Sequence, residues 1–308
     1  MSAVDVVDAL EAFAAEVGPA DAGPVVAVGG RTHWDVGGAV EPGCREVRAP
    51  AGVVAHEPAE MTVRVLAGTT VADLDRALAR HAQCVALPDH PGATVGGVLA
   101  VGHSGVRRLG WGPVRDTVLE VRYVSAEGAV VKGGGPTVKN VSGFDVPRLL
   151  VGSLGTIGIL AEVVLRTRPV AAAESWFAAP EGADPFALRR ALHRPAAVLW
   201  DGASTWVLLD GHPHDLDAES ARFGLDVIEP SALPELPPHR WSVEPGSLPA
   251  LVGDGYGPFV AQVGVGVVHR GVPQPSRPVD PGAAAVGRRV KAAFDPTGRL
   301  APGRSVWS

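Results

Sequence analysis

Three glycine-rich stretches in the first half of the chain constrain its fold more than any other feature: VGGRTHWDVGG at 28–38, PGATVGGVLAVGHSGVRRLGWGPVRD at 91–116 and VKNVSGFDVPRLLVGSLGTIGIL at 138–160. Glycine loses more conformational freedom on folding than any other residue, so this density is costly unless backbone must approach something closely. Each stretch falls where a strand is expected to end or a helix to begin. Successive small residues in the first can turn several backbone N–H groups toward one anion, as a nest does for a pyrophosphate. Gly152, Ser153, Gly155 and Thr156 in the third can add backbone and hydroxyl hydrogen bonds. Any one of these loops alone would be no more than a turn. Together they form a cradle for a long, flat dinucleotide. The spacing G-x-G-x-x-G and a Walker lysine are both missing, which excludes a Rossmann cofactor site and a nucleotide triphosphatase.

The flanking pattern predicts an α+β protein. Val25 to Val28 and Met61 to Leu66 read as strands, and Thr70 caps a helix whose apolar Val71, Leu74 and Leu78 recur at helical spacing. Val118 to Val124 and Ala129 to Lys132 read as a hairpin turning at Glu127-Gly128, and Ile157 to Leu165 as a further strand. Pro169 and the alanines after it mark a domain break near 170. The expectation is therefore one domain over 1–170 and a smaller α+β domain over 171–308. In the latter, strands are expected at Val198 to Trp200, Thr205 to Leu209 and Phe259 to Val268, with helices near Phe186 to His193 and Val286 to Phe294.

Composition excludes several function classes. A formal charge of −6 and no Lys/Arg run leave no basic surface for a phosphate backbone, so nucleic acid is not an expected partner. No apolar stretch is long enough to span a bilayer. Met1 to Val17 reads as an amphipathic helix with Val4, Val7, Leu10 and Phe13 inward rather than as a signal peptide. A cytoplasmic location is expected, with any membrane association arising through partner subunits. Cys44 and Cys84 lie outside any CxxC pair or His cluster and read as free thiols. Lysine occurs only at 132, 139 and 291 and asparagine only at 140, which makes the Lys139-Asn140 pair informative.

The order GG-x-T, then ATVGG…GHSG…G-x-x-RD, then VKNVSG-aromatic-D…GSLGT-x-G resembles the PCMH-type FAD-binding domain of the vanillyl-alcohol-oxidase superfamily over residues 20–170. VKNVSGFD, GSLGT and the closing FDPTGRLAPGR at 294–304 resemble, within it, the FAD-binding subunits of glycolate oxidase, which implies two α/β subdomains over 1–170, a cap or substrate domain over 171–308 and a closing motif that returns to the flavin. The resemblance implies that Gly29, Gly30, Arg31, Thr32 and His33 hold the FAD pyrophosphate. It implies that Thr94, Gly96, Gly97, Gly102, His103, Ser104 and Gly105 line the diphosphate and flavin edge. Gly152, Ser153, Gly155, Thr156 and Ile159 would contact the rest of the cofactor. Family members with covalent flavin carry His directly after the paired glycines, where this chain has Arg31, so non-covalent FAD is expected.

Larger relatives that oxidise 2-hydroxy acids carry H-x-G-D-G-x-x-H, whose histidines can coordinate a divalent cation. The matching stretch here is QVGVGVVH at 262–269, in which Gln262 and Val265 leave only His269, so no metal is expected. Arg304, Lys139 and His269 are the candidate catalytic residues. Arg304 would lie near the flavin pyrimidine or form a C-terminal salt bridge; Lys139 would bond flavin or substrate or fix a turn. The expected function is an FAD-binding oxidoreductase subunit acting on a 2-hydroxy acid such as glycolate, with a larger flavoprotein subunit and an iron–sulfur subunit as partners. With nothing evident in the sequence to orient a carboxylate, the isolated chain is expected to reduce its flavin slowly. An autonomous FAD-dependent reductase and a non-catalytic flavin-binding assembly subunit are the alternatives.

Overall fold

The computed structural model describes residues 3–88, 90–135, 145–276 and 278–306. They form a mixed α+β fold in two compact units. The first holds the described residues of 1–105, 113–169 and 277–308, and the second those of 106–112 and 170–276. Two excursions thus cross the single boundary expected near 170. Gly110 explains the first: its N–H donates to Ala196 O at 3.2 Å, and a Cβ there would stand 2.8 Å from Ala196 Cα, so only glycine lets this segment join the second unit.

The first unit is built on a five-stranded antiparallel sheet in the order Val53–Glu57, Thr62–Leu66, Ile159–Arg166, Val118–Val124, Val130–Gly134. Ile159–Arg166 is central and buried along almost its whole length, as its near-continuous apolar run requires. Its one acidic residue, Glu162, is 1 % exposed and is held by Arg64 at 2.7 Å and Arg122 at 3.5 Å from the adjacent strands. Helix Val71–Ala79 begins where Thr70 Oγ1 accepts from Asp73 N at 3.1 Å, and it buries Val71, Leu74 and Leu78 fully against the sheet.

A second layer contains helix Ala3–Val17 and the parallel pair Val25–Ala27 with Arg45–Val47. The helix turns Val6, Leu10, Phe13 and Val17 inward, whereas Val4 and Val7, expected inside, are exposed. At about 100° per residue the face is centred on the 6-10-13-17 stripe, which leaves Val7 on its flank and Val4 on the far side.

The C-terminal segment is fastened into this layer by a buried guanidinium. Arg299, 4 % exposed, donates to Val17 O at 2.6 Å, Gly23 O at 3.0 Å, Ala126 O at 3.0 Å and Gly18 O at 3.1 Å. Asp295 accepts from Arg299 N, Leu300 N and Lys291 Nζ. Leu300 then bridges Val25, and Ala301 N donates to Val25 O at 2.8 Å.

The second unit is a seven-stranded antiparallel sheet ordered Asp226–Ile228, Ala173–Ala178, Thr205–Gly211, Ala197–Trp200, Phe259–Gln262, Val267–Arg270, His239–Ser242. The single strand expected over 259–268 is a hairpin, because Gly264 and Gly266 take φ of +81° and +77° and turn the chain between them. Arg299→Leu would strand four carbonyl acceptors, so a loss on the order of 3 kcal/mol is expected by urea denaturation, with only partial recovery in Arg299→Lys.

Candidate functional site

A cleft in the first unit is lined by the 29–36 loop, by the start and inner face of helix Val95–Val101, by Leu154 and by Arg304. Gly29, Gly30, Arg31, Thr32, His33, Thr94 and Gly97 of the expected cofactor set all open onto it. Steric closeness brings these loops together. A Cβ on Gly30 would lie 1.8 Å from Gly92 O, so the first and second glycine stretches can meet only with glycine there. Gly102 ends the helix in the left-handed region at φ +72°, and a Cβ on it would stand 2.9 Å from Gly152 Cα. The third stretch then docks on the helix, with Gly152 N donating to Leu99 O at 2.9 Å and Leu154 N to Ala100 O at 2.8 Å.

The helix start offers no spare donors. Val95 N bonds Thr69 O, Gly96 N bonds Ala67 O and Gly97 N bonds Thr94 Oγ1. The loop before it differs: among the described residues the N–H groups of Gly29, Gly30, Arg31 and Thr32 donate to no protein acceptor. Arg31 takes φ of +56°, which turns consecutive N–H groups toward one side, the geometry that binds an anion.

Trp34, which the sequence did not single out, divides the cleft rim. The guanidinium of Arg31 lies 4.6 Å and that of Arg304 4.7 Å from its ring centroid. Arg31 pairs with Glu46 at 2.5 Å. Arg304 donates to Val36 O and, among the described residues, forms no salt bridge. Burial pulls the Arg304 pKa down, with Asp35 opposing. Val98, Val101 and Leu154 supply an apolar wall.

The other expected residues sit around this cleft rather than along it. The rings of His90 and His103 meet that of His33 edge-on, at 4.7 and 5.8 Å between centroids. Ser104 is buried and accepts from Val114 N at 3.0 Å, and Gly105 packs against Pro88. Thr156 donates its hydroxyl to Ser153 O at 2.7 Å, and both residues are buried. Gly155 N meets Ser153 Oγ at 3.4 Å, so this turn shapes the segment that presents Leu154. Ile159 is a core residue paired with Val124. Gly96 backs onto Ala67, where a Cβ would be 2.8 Å from the alanine's own. Lys139 lies outside the described residues. His269 belongs to the second unit, with its Nε2 3.3 Å from Gln262 Nε2. Among the described residues no group of three or more His, Cys, Asp or Glu side chains is placed to hold a metal ion.

Free backbone donors, two flanking arginines and an apolar wall suit a ligand with a charged diphosphate and flat rings. Residues 2–134 match the family model described as "FAD binding domain". Over that segment the chain is similar to FAD-binding domains. The chain is 36 % identical over 152 residues to glycolate oxidase subunit GlcE of Escherichia coli K12, covering 48 % of this chain and 43 % of that protein. It is 42 % identical over 106 residues to a D-lactate dehydrogenase of Archaeoglobus fulgidus, covering 33 % and 24 % of the two chains. The matches thus span less than half the length of these relatives. A solved structure of alkyldihydroxyacetonephosphate synthase superposes with a TM-score of 0.70 at 14 % identity, covering 98 % of this chain and 74 % of the other, which shows a shared fold.

The geometry separates two neighbouring glycines of the matched segment. Gly97 opens onto the cleft and a Cβ there meets only Thr94 Oγ1 at 3.0 Å, whereas Gly96 abuts strand backbone. Gly97→Val is expected to lose most bound flavin at a melting temperature within a few degrees of the parent. Gly96→Val is expected to lower the melting temperature itself, since overpacking costs about 1–3 kcal/mol. Flavin content by absorbance and melting by circular dichroism check both outcomes.

Proposed function

We propose that this chain is an FAD-dependent oxidoreductase subunit that acts on a small 2-hydroxy acid such as glycolate and passes the electrons to a partner. The observation that carries the reading is the row of uncommitted N–H groups at Gly29 to Thr32, beside Arg31 and Arg304, in a domain whose family model is FAD binding. Relatives named as a glycolate oxidase subunit and a D-lactate dehydrogenase support the substrate class. FAD, when bound, supplies the hydride-accepting chemistry. The nest at 29–32 would hold its pyrophosphate, with Arg31 adding positive charge. Val98, Val101 and Leu154 would cover ring surface and exclude water. Arg304, stacked on Trp34 and forming no salt bridge among the described residues, would favour negative charge arising at its end of the cleft.

The cofactor is proposed to be non-covalent, because Arg31 stands directly after the paired glycines and is tied to Glu46. Acid precipitation of the yellow protein should release all flavin into the supernatant. Colour retained by the washed pellet would refute this attachment, and a protein that takes up no FAD would refute the cofactor assignment to this cleft.

A multi-subunit setting is supported by relatives named as glycolate oxidase subunits GlcE and GlcD. The proposed partners are a larger flavoprotein subunit and an iron–sulfur subunit that carries electrons away. Among the described residues no helix is long and apolar enough to cross a membrane, so any membrane association is proposed to come through those partners. Steady-state glycolate oxidation with an artificial acceptor should rise at least tenfold when the larger subunit is co-purified. Equal turnover with and without it would instead favour an autonomous enzyme.

A further inference from the structure

The second unit gathers polar side chains of unlike chemistry on one face of its sheet. Arg240 and His269 are direct partners across an antiparallel pair, so their side chains project to the same side. Gln262 lies on the next strand, diagonal to His269, with its Nε2 3.3 Å from the imidazole Nε2. Their chain neighbours Trp241, Val268 and Ala261 point the other way, into the hydrophobic core.

This face holds unmet hydrogen-bonding capacity of both signs. Gln262 is 3 % exposed, yet its buried Oε1 accepts nothing, and the buried Nε of Arg240 donates to nothing. Burial and the nearby Arg108 guanidinium push Arg240 down to about 10. Among the described residues no carboxylate pairs with either arginine. Burial, with Arg240 beside it, also lowers the His269 pKa, which favours the neutral ring, and its Nε2 lies 3.3 Å from the Gln262 amide nitrogen. Folded proteins rarely leave buried donors and acceptors unmatched, and two such groups of opposite kind in one cluster mark a place for a ligand that matches them.

We propose that Arg240, Gln262 and His269 form a metal-independent subsite for a small hydroxy-carboxylate. The guanidinium takes the carboxylate and the Gln262 carbonyl oxygen accepts a hydrogen bond from the hydroxyl. This rests on the reading of the chain as acting on 2-hydroxy acids and supplies the carboxylate anchor that the stretch at 262–269 lacked in sequence. The substitution of Gln262 for a metal-ligating histidine then exchanges a cation for a hydrogen-bond acceptor, with positive charge drawn from Arg240 and Arg108 instead.

The test is isothermal titration calorimetry of the flavin-loaded chain with glycolate, and with acetate, which lacks only the hydroxyl, both in EDTA. Glycolate should bind and acetate should bind roughly tenfold more weakly or worse, because the Gln262 oxygen stays unpaired. Arg240→Leu should weaken glycolate at least about 30-fold. Gln262→Glu, which keeps size and shape but adds a negative charge, should weaken it at least about tenfold with an unchanged or raised melting temperature. This second variant keeps the test decisive if loss of Arg240 disturbs folding. No glycolate binding, equal binding of acetate, binding abolished by EDTA, or wild-type affinity in Gln262→Glu would each overturn the subsite. Flavin reduction by glycolate that persists in both variants would overturn the subsite and leave the oxidoreductase reading intact. Arg240-dependent binding with no flavin reduction, even beside the larger subunit, would uphold the subsite and overturn that reading.

Discussion

The cofactor cleft depends on a hydrogen-bonding problem solved far from it. Helix Ala3–Val17 ends, the first parallel strand begins and the 118–134 hairpin turns within reach of one another, and each leaves carbonyls facing inward. Buried carbonyls without donors are expensive, and arginine is the one side chain with five donors in a fixed plane. Arg299 satisfies four of them, and Asp295 holds the turn that presents it. The same clasp sets Leu300 beside Val25 and delivers Arg304 to the cleft rim five residues later. Much of the FDPTGRLAPGR motif therefore acts on the fold first and on the cofactor through it.

Within the cleft the division of labour is also set by hydrogen bonds. Helix Val95–Val101 has the small residues and Thr cap of an anion site, but its first N–H groups are already spent on Thr69, Ala67 and Thr94. That leaves the 29–32 loop to receive a diphosphate, and leaves the helix to position Gly97, Val98 and Val101 as a wall. Trp34 holds the guanidinium groups of Arg31 and Arg304 against its ring, through the attraction of guanidinium for an aromatic face, while Glu46 pairs with Arg31.

The second unit shows the complementary situation, unsatisfied groups retained rather than satisfied. Glu162 in the first unit is paired with two arginines, although its Oε2, like Glu120 Oε2 and Arg270 Nε, is also buried without a hydrogen-bond partner. Half-buried Arg240 and buried Gln262 differ in having no oppositely charged partner among the described residues, and they keep an idle buried donor and an idle buried acceptor.

Sequence by itself determined the glycine stretches, the capped helix at 71, the 118–134 hairpin, the central apolar strand and the cofactor class, because periodicity, caps and φ > 0 requirements are local properties of the chain. It also supplied most of the cleft floor, Gly29 to His33 with Thr94 and Gly97, since backbone approach leaves its mark as glycine. It misjudged the inward face of the first helix by a fraction of a turn, and did not show that Gly96, Ser104 and Ile159 also make internal packing or hydrogen-bond contacts. Only the tertiary structure decided which N–H groups remained free, that Trp34 and Leu154 enter the cleft, and that segments 106–112 and 277–308 join units distant in sequence. It alone drew Arg240, Gln262 and His269 together, because neighbours across antiparallel strands are fixed by register, and register depends on turns and cores many residues away.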